Sequence, residues 1–76
     1  MKNNKFQLVG KIIGLSNFGN VITLEVNSEW FQIEFEYLTK ADMESLVSSD
    51  FVYVEGYMTN VSNVIKLMGT KIVGEQ

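Results

Sequence analysis

The residue best suited to ligand chemistry is Trp30, the only tryptophan, which alternates along one stretch with Gln32, Glu34 and Glu36. Because successive side chains of a strand point to opposite sides of a sheet, these four side chains would share one face. An indole ring on a solvent-facing surface can stack on a flat ligand or cover a protein contact. Carboxylates act as general acids or bases where burial tunes them, and the sequence indicates no buried pair. We therefore expect a binding surface without catalysis.

The composition excludes several kinds of chemistry. The chain has no cysteine and no histidine, which removes disulfides, thiolates, the commonest metal ligand and the commonest general base. We predict no catalytic residue, no metal site and no cofactor. Six lysines stand against nine acidic residues, giving a net charge of −3, which disfavours long-range attraction of polyanions. Arginine is absent as well, so that any phosphate contact would have to come from lysine, which acts as a point charge.

The stretch Ser28–Leu38 is predicted to be a strand with two different faces. On the side opposite Trp30, alternate positions are large and apolar, which is typical of residues that fill a core. We predict that this inner set is buried, and its members are Phe31, Ile33, Phe35 and Tyr37. The outer set is left for solvent or for a partner.

Periodicity and turn residues define the remaining elements. The predicted strands are Phe6–Leu15, Val21–Asn27, Ser28–Leu38, Phe51–Met58 and Val64–Val73, with turns at 16–20 and 59–63. Gly10 inside the first strand suggests a bend or bulge. Thr39 and Asp42 have the spacing of a helix-capping box, and Met43, Leu46 and Val47 then form one apolar stripe. A short helix is therefore expected between the third and fourth strands.

Three strands, a short helix and a closing hairpin predict an all-β fold, a five-stranded oligonucleotide/oligosaccharide-binding (OB) barrel with a short helix between strands 3 and 4. The 76 residues are enough for one domain and one core, so that residues 1–76 form a single OB-fold domain whose termini, 1–4 and 74–76, fray. A ubiquitin-like β-grasp is the main rival at this length, although it would put a longer helix after only two strands. Other small barrels remain open.

Three segments resemble bacterial and phage single-stranded-DNA-binding proteins. Leu8–Ile12 is similar to their opening strand, Ser28–Ile33 to their third strand, and Phe51–Met58, which reads Phe-Val-Tyr-Val-Glu-Gly-Tyr-Met, to their fourth. The segments occur in the family's order, and the resemblance extends over about Phe6 to Val73. It implies a single-stranded nucleic-acid-binding module that stacks bases on aromatic rings and contacts phosphates through lysines. Single-stranded DNA is the partner that the resemblance implies.

The resemblance also assigns roles to particular residues. Trp30 matches the family's stacking tryptophan, and Lys11 lies at the polar position of strand one. Phe18 is expected at the tip of the first hairpin, with Lys66 and Lys71 on the last strand. The chain departs from the family pattern where Glu36 replaces a second stacking aromatic, where Gln32 replaces a basic residue and where Glu34 adds a carboxylate. The family's acidic C-terminal tail, which recruits replication partners, has no counterpart, so we expect a reduced form of the family.

A second aromatic surface supports a different interpretation. Phe51, Tyr53 and Tyr57 alternate along the fourth predicted strand and would form an outward row. Exposed apolar rows of this kind often mark protein interfaces. We predict an interface at these three residues and a homo-oligomer, a dimer or a tetramer. The alternative function is an OB-fold protein-interaction or oligomerisation module that binds no nucleic acid.

The apolar runs are too short to cross a membrane, and the start Met1–Phe6 lacks the apolar core of a signal peptide. We therefore expect a cytoplasmic protein with no membrane partner.

Overall fold

A computed structural model describes residues 4–16 and 20–75 of the chain. Most of these residues lie in strands. The elements are β1 (Asn4–Leu15), β2 (Val21–Val26), β3 (Glu29–Phe35), α1 (Lys40–Val47), β4 (Phe51–Val61) and β5 (Val64–Glu75). The predicted order of three strands, one short helix and two strands is confirmed.

The five strands form one sheet that closes into a ring. Its order is β1-β2-β3-β5-β4, and β4 returns to pair with β1. All neighbours are antiparallel except β3 and β5, which run parallel. The helix α1 connects β3 to β4, which lies beside β1. The last strand, β5, then occupies the place between β4 and β3. Each strand has a paired neighbour on both sides over at least part of its length, which leaves little strand edge open to edge-to-edge association.

The core lies inside this ring and comes from alternate positions of the strands. Its buried members are Ile22, Leu24, Ile33, Phe35, Leu46, Val52 and Val54. The predicted alternation of β2 and β4 is therefore confirmed. Each fully buried aliphatic side chain contributes about 1.5–3 kcal/mol relative to an exposed one. Phe35 pairs with Gly69, and a side chain at Gly69 would run into the Phe35 ring, so the glycine makes room for the aromatic ring.

The prediction for the inner face of the third strand is wrong at Tyr37. Ile33 and Phe35 are buried and Phe31 is half-buried, but Tyr37 is 76% exposed. The reason is that β3 ends at Phe35 and the chain bends at Glu36. Beyond that bend the two-residue periodicity no longer decides which way a side chain points. Leu38, rather than Tyr37, packs against the core.

The irregularity expected at Gly10 lies three residues further along β1. Gly10 remains paired with Val52, and the register between β1 and β2 shifts between Ile12 and Gly14, as in a β-bulge. Gly10 is buried, and a side chain there would collide with the backbone oxygen of Glu25. The glycine is thus required by close approach of two strands and not by a bend.

The helix α1 begins with the predicted capping box. The Asp42 backbone N–H donates to Thr39 Oγ1 at 3.0 Å, and the Thr39 N–H donates to the Asp42 carboxylate at 3.4 Å. Leu46 is buried and Met43 half-buried, but Val47 is 56% exposed, so its predicted place on the apolar stripe is wrong. Eight residues make two turns, and only the Leu46 side reaches the core. Within 4–16 and 20–75, no helix is long and apolar enough to span a membrane.

The β4–β5 hairpin is longer than predicted. Its ladder runs from Phe51↔Glu75 to Val61↔Val64, and the turn consists of Ser62 and Asn63 alone, with φ of 53° and 66°. Positive φ at both central residues is typical of a type I′ turn, whose twist matches that of paired strands. The predicted loop at 59–63 is therefore mostly strand. In the β1–β2 hairpin, the Ser16 N–H donates to the Val21 carbonyl at 2.9 Å.

Candidate functional site

The wall of the ring is incomplete between β3 and β5. These strands pair at three positions, Ile33↔Leu67, Glu34↔Met68 and Phe35↔Gly69. Towards their N-terminal ends they separate, since β5 continues its pairing only with β4. The segment 29–32 of β3 consequently pairs with β2 on one side and faces a gap on the other.

A groove of about 1030 Å³ follows this gap. One wall is formed by residues of β1, β2 and β3, and the other by residues of the β4–β5 hairpin. Most of its lining residues are apolar. The full lining is Ile13, Gly14, Val21, Thr23, Trp30, Phe31, Gln32, Glu34, Met58, Val64, Ile65, Lys66 and Leu67. The groove is open to solvent along one side, which suits an extended ligand better than an enclosed small molecule.

Trp30 lies on the groove and is 70% exposed. It pairs with Glu25 of β2, which pairs in turn with Lys11 of β1. Adjacent strands are about 4.8 Å apart, so the backbones of Lys11 and Trp30 are separated by roughly 10 Å. The indole has a cross-strand neighbour on one side and the gap on the other. Its ring is therefore available to stack on a ligand.

The charged side chains of the groove form an ion pair. Lys66 Nζ lies 3.1 Å from Glu34 Oε1, and the two side chains are 53% and 42% exposed respectively. Among the described residues that line the groove, these two are the ones with ionisable side chains. The groove is thus close to neutral, and its carboxylate already has a cationic partner.

The structure brings together two of the residues predicted to contact nucleic acid, Trp30 and Lys66. Lys11 is a neighbour in the same cross-strand row but does not line the groove. Lys71 pairs with Glu55 on the outer surface of β4 and β5, away from Trp30. Phe18 lies outside the described residues.

Fewer carboxylates lie on the face of Trp30 than the sequence predicts. Glu36 follows the end of β3 and lines a second cavity of about 330 Å³ beside Tyr37 and Tyr57. Its predicted position on the face of Trp30 is therefore wrong, because the strand ends one residue earlier. Glu34 is left as the groove's own carboxylate.

The predicted interface residues lie on the outer face of β4. Tyr53 is half-buried between Val9 of β1 and Val73 of β5, which pair with it from either side. Its hydroxyl donates to the Glu55 carboxylate. That hydrogen bond, followed by burial and by the Glu55 charge, raises the pKa of Tyr53 above its ordinary value. The hydroxyl of Tyr53 is thus already engaged within the sheet.

The other two members of the row differ from Tyr53. Phe51 is 53% exposed and pairs with Glu75, whereas Tyr57 is half-buried and pairs with Lys5 and Met68. The surface formed by Phe51, Tyr53, Tyr57, Val9 and Val73 is called the β4 face below. It is apolar around Tyr53, and Glu55 interrupts it between Tyr53 and Tyr57.

Sequence reasoning missed the apolar end of the β4–β5 hairpin. Val61, Val64 and Ile65 are 59%, 59% and 69% exposed, and the last two line the groove opposite Trp30. A signal was present in the sequence, since three large apolar residues surround a polar two-residue turn. Their groove-facing position depends on the long β4–β5 ladder, which the predicted loop at 59–63 concealed.

This arrangement can bind a flat, partly apolar group by stacking and contact.

In the described ranges no group of three or more acidic side chains converges on a possible metal site. Comparison of the chain with protein-family models, with curated proteins and with solved structures finds no significant match.

Proposed function

We propose that this chain is an OB-fold module that binds single-stranded nucleic acid, with single-stranded DNA as the first candidate, in the groove between β3 and the β4–β5 hairpin. The ring order, the parallel β3–β5 pair and the helix between β3 and β4 are compatible with an OB barrel. In that fold the strand 2–3 surface and the flanking loops bind oligonucleotides. The resemblance to bacterial single-stranded-DNA-binding proteins points the same way.

In this proposal one face of a base stacks on Trp30, and Val64 and Ile65 at the end of the β4–β5 hairpin cover the other face of the base. Stacking on an aromatic side chain contributes about 1–3 kcal/mol per base and tolerates any sequence. Lys66 and Lys11 are the cations nearest to the proposed path of the nucleic-acid strand. With one full phosphate contact, the logarithm of the binding constant should fall with the logarithm of salt concentration with a slope of about −0.7. Binding would thus be driven by stacking more than by charge.

The observation that carries the proposal is the exposure of Trp30. A tryptophan that is 70% exposed beside an apolar groove leaves a large ring surface in water, which is unfavourable unless a ligand covers it. The net charge of −3 does not help phosphate binding, and the proposal accordingly assigns most of the affinity to the ring.

Tryptophan fluorescence tests the proposal, because Trp30 is the only tryptophan. Titration with oligothymidylates of about 4–16 nucleotides, at low and at moderate salt, should quench the emission in a saturable and length-dependent way. A mixed-sequence single strand should bind similarly, and the matched duplex should bind more weakly. Emission that does not change with any single strand at low salt would refute the proposal.

A second candidate function rests on the β4 face. Val9, Phe51 and Val73 are 52%, 53% and 44% exposed, and they surround Tyr53. We propose as the alternative that this surface joins copies of the chain or docks on a protein partner without nucleic acid. In sedimentation, an oligomer should be lost in the double variant Tyr53→Ser plus Tyr57→Ser but kept in Trp30→Ser. A wild-type chain that sediments as a monomer would exclude self-association.

A further inference from the structure

The Glu34–Lys66 ion pair lies at the closed end of the proposed nucleic-acid groove. We infer that Glu34 is an internal competitor of the ligand's phosphate, which holds Lys66 in the free protein and reduces the contribution of this lysine to binding. The inference rests on the function proposed above and concerns the same groove. It assigns to Glu34 a role in setting affinity that does not depend on stabilising the fold.

The position of Glu34 is fixed by backbone pairing on both sides. It pairs with Val21 of β2 and with Met68 of β5, so its backbone is held in the sheet and its carboxylate stays within reach of Lys66 unless the side chain changes rotamer. Lys66 comes directly before Leu67, which makes the last β3–β5 pair with Ile33. The ion pair therefore connects the two walls of the groove at the point where the backbone ladder between them ends.

The pair is exposed enough for a ligand to replace it. With 53% and 42% of the two side chains exposed, it is screened by water and salt and contributes little to stability. A phosphate that approaches Lys66 must take the place of the carboxylate and then tolerate the negative charge of Glu34 close by. Both effects lower the net gain from a lysine that would otherwise be a good phosphate contact.

Removing the carboxylate should therefore increase affinity. Glu34→Gln keeps the size and the hydrogen-bonding oxygen but frees Lys66, and we expect tighter binding of an oligothymidylate by about three- to tenfold at low salt. One additional phosphate contact should also make the salt slope steeper by about 0.7. In the wild-type background, Lys66→Gln should weaken binding less than twofold. In the Glu34→Gln background, Lys66→Gln should weaken binding by about the same factor by which Glu34→Gln alone strengthens it.

The matched controls come from the same chain. Glu36→Gln changes the net charge equally but lies beyond the end of β3 and outside the groove, so that it reports the long-range charge effect alone. Lys71→Gln plays the same part for Lys66, because Lys71 lies on the outer surface opposite Glu55. Urea unfolding of each variant checks that the chain is folded.

The test is a double-mutant cycle with Trp30 fluorescence as the readout. Coupling of the expected sign between positions 34 and 66, beyond the effect of the controls, supports the inference. If the wild type binds but Lys66→Gln costs the same in both backgrounds, the inference is wrong while the proposed function stands. If neither the wild type nor Glu34→Gln binds, the proposed function fails and the inference fails with it.

Discussion

Two aromatic surfaces on the outside of the same ring differ in what surrounds them. On the β4 face, Tyr53 has a paired strand on each side, with Val9 and Val73 as direct neighbours, and its hydroxyl is bonded to Glu55. In the groove, Trp30 has Glu25 on one side and a gap on the other. An aromatic side chain in the middle of a sheet covers its neighbours, whereas one beside a gap keeps its ring surface for a ligand.

The difference originates in how far each strand is paired. β4 is paired along its whole length with β5, but β3 shares three residue pairs with β5. The chemistry of the groove therefore depends on where a ladder ends, and the aromatic residue type alone does not separate the two surfaces. We expect substitutions on the β4 face to change stability or association and substitutions in the groove to change binding.

The largest effect is expected where the ring closes. Ile33 is fully buried and makes the last β3–β5 pair, so Ile33→Ala should lower the free energy of unfolding by about 3 kcal/mol through lost burial and a cavity. Gln32→Ala, one residue away on the exposed side, should change it by less than about 0.5 kcal/mol. Urea unfolding measures both. Equal effects of the two substitutions would contradict the assignment of inner and outer faces.

The second prediction compares the loss of one aromatic side chain from each of the two surfaces. Trp30→Ala should reduce affinity for an oligothymidylate by roughly ten- to a hundredfold with little change in stability, since Trp30 is 70% exposed. Tyr53→Ala should leave affinity unchanged and lower stability by about 1 kcal/mol through lost cross-strand contacts. Because Trp30→Ala removes the fluorophore, anisotropy of a labelled oligonucleotide is the measurement. Loss of affinity in Tyr53→Ala alone would move the binding site to the β4 face.

The third prediction concerns the occupied hydroxyl of the β4 face. Because the pKa of Tyr53 in the folded chain lies above its ordinary value of 10.0, its contribution to stability is complete below about pH 10 and is lost as pH rises through the folded pKa. Subtracting the ultraviolet titration of Tyr53→Phe from that of the wild type isolates this residue. Glu55→Ala should return the Tyr53 pKa towards its ordinary value; a pKa that stays raised would mean that Glu55 is not the main cause.

The smallest effect is expected at the ion pair. Glu34→Gln should change the free energy of unfolding by less than about 1 kcal/mol, because an exposed pair contributes little, and the difference should shrink with added salt. A loss several times larger would show that Glu34 is structural, which would weaken the contrast between a groove that binds and a β4 face that stabilises.

Local patterns predicted those parts of the fold that depend on neighbours in sequence. The alternation in β2 and β4, the order of elements and the Thr39–Asp42 capping box depend on residues a few positions apart, and the structure confirms them. Tyr37 and Val47 were predicted to be buried and are exposed, because periodicity gives the direction of side chains but not the residue at which an element ends.

The candidate site was harder to predict because it is made by a pairing distant in sequence. Trp30 could be chosen from its type and its face, and Lys66 from the resemblance. That Lys66 meets Glu34, and that Ile65 faces Trp30 across a groove, follow from the parallel β3–β5 register and from the two-residue turn at Ser62–Asn63. The ion pair has no local sequence signal, and the position of Ile65 has only the partial signal of the apolar residues around the turn.

The most direct test of the account is a map of ligand-induced shifts on the two surfaces. Two-dimensional amide NMR spectra of the wild type with an oligothymidylate of about 8 nucleotides contain one indole N–H signal, from Trp30, as an internal reporter. We predict large shifts of that signal and of the amides of Gln32, Ile65 and Lys66, with Val9, Tyr53 and Val73 unchanged. Shifts confined to the β4 face, or no shifts at a large excess of oligonucleotide and low salt, would contradict the account.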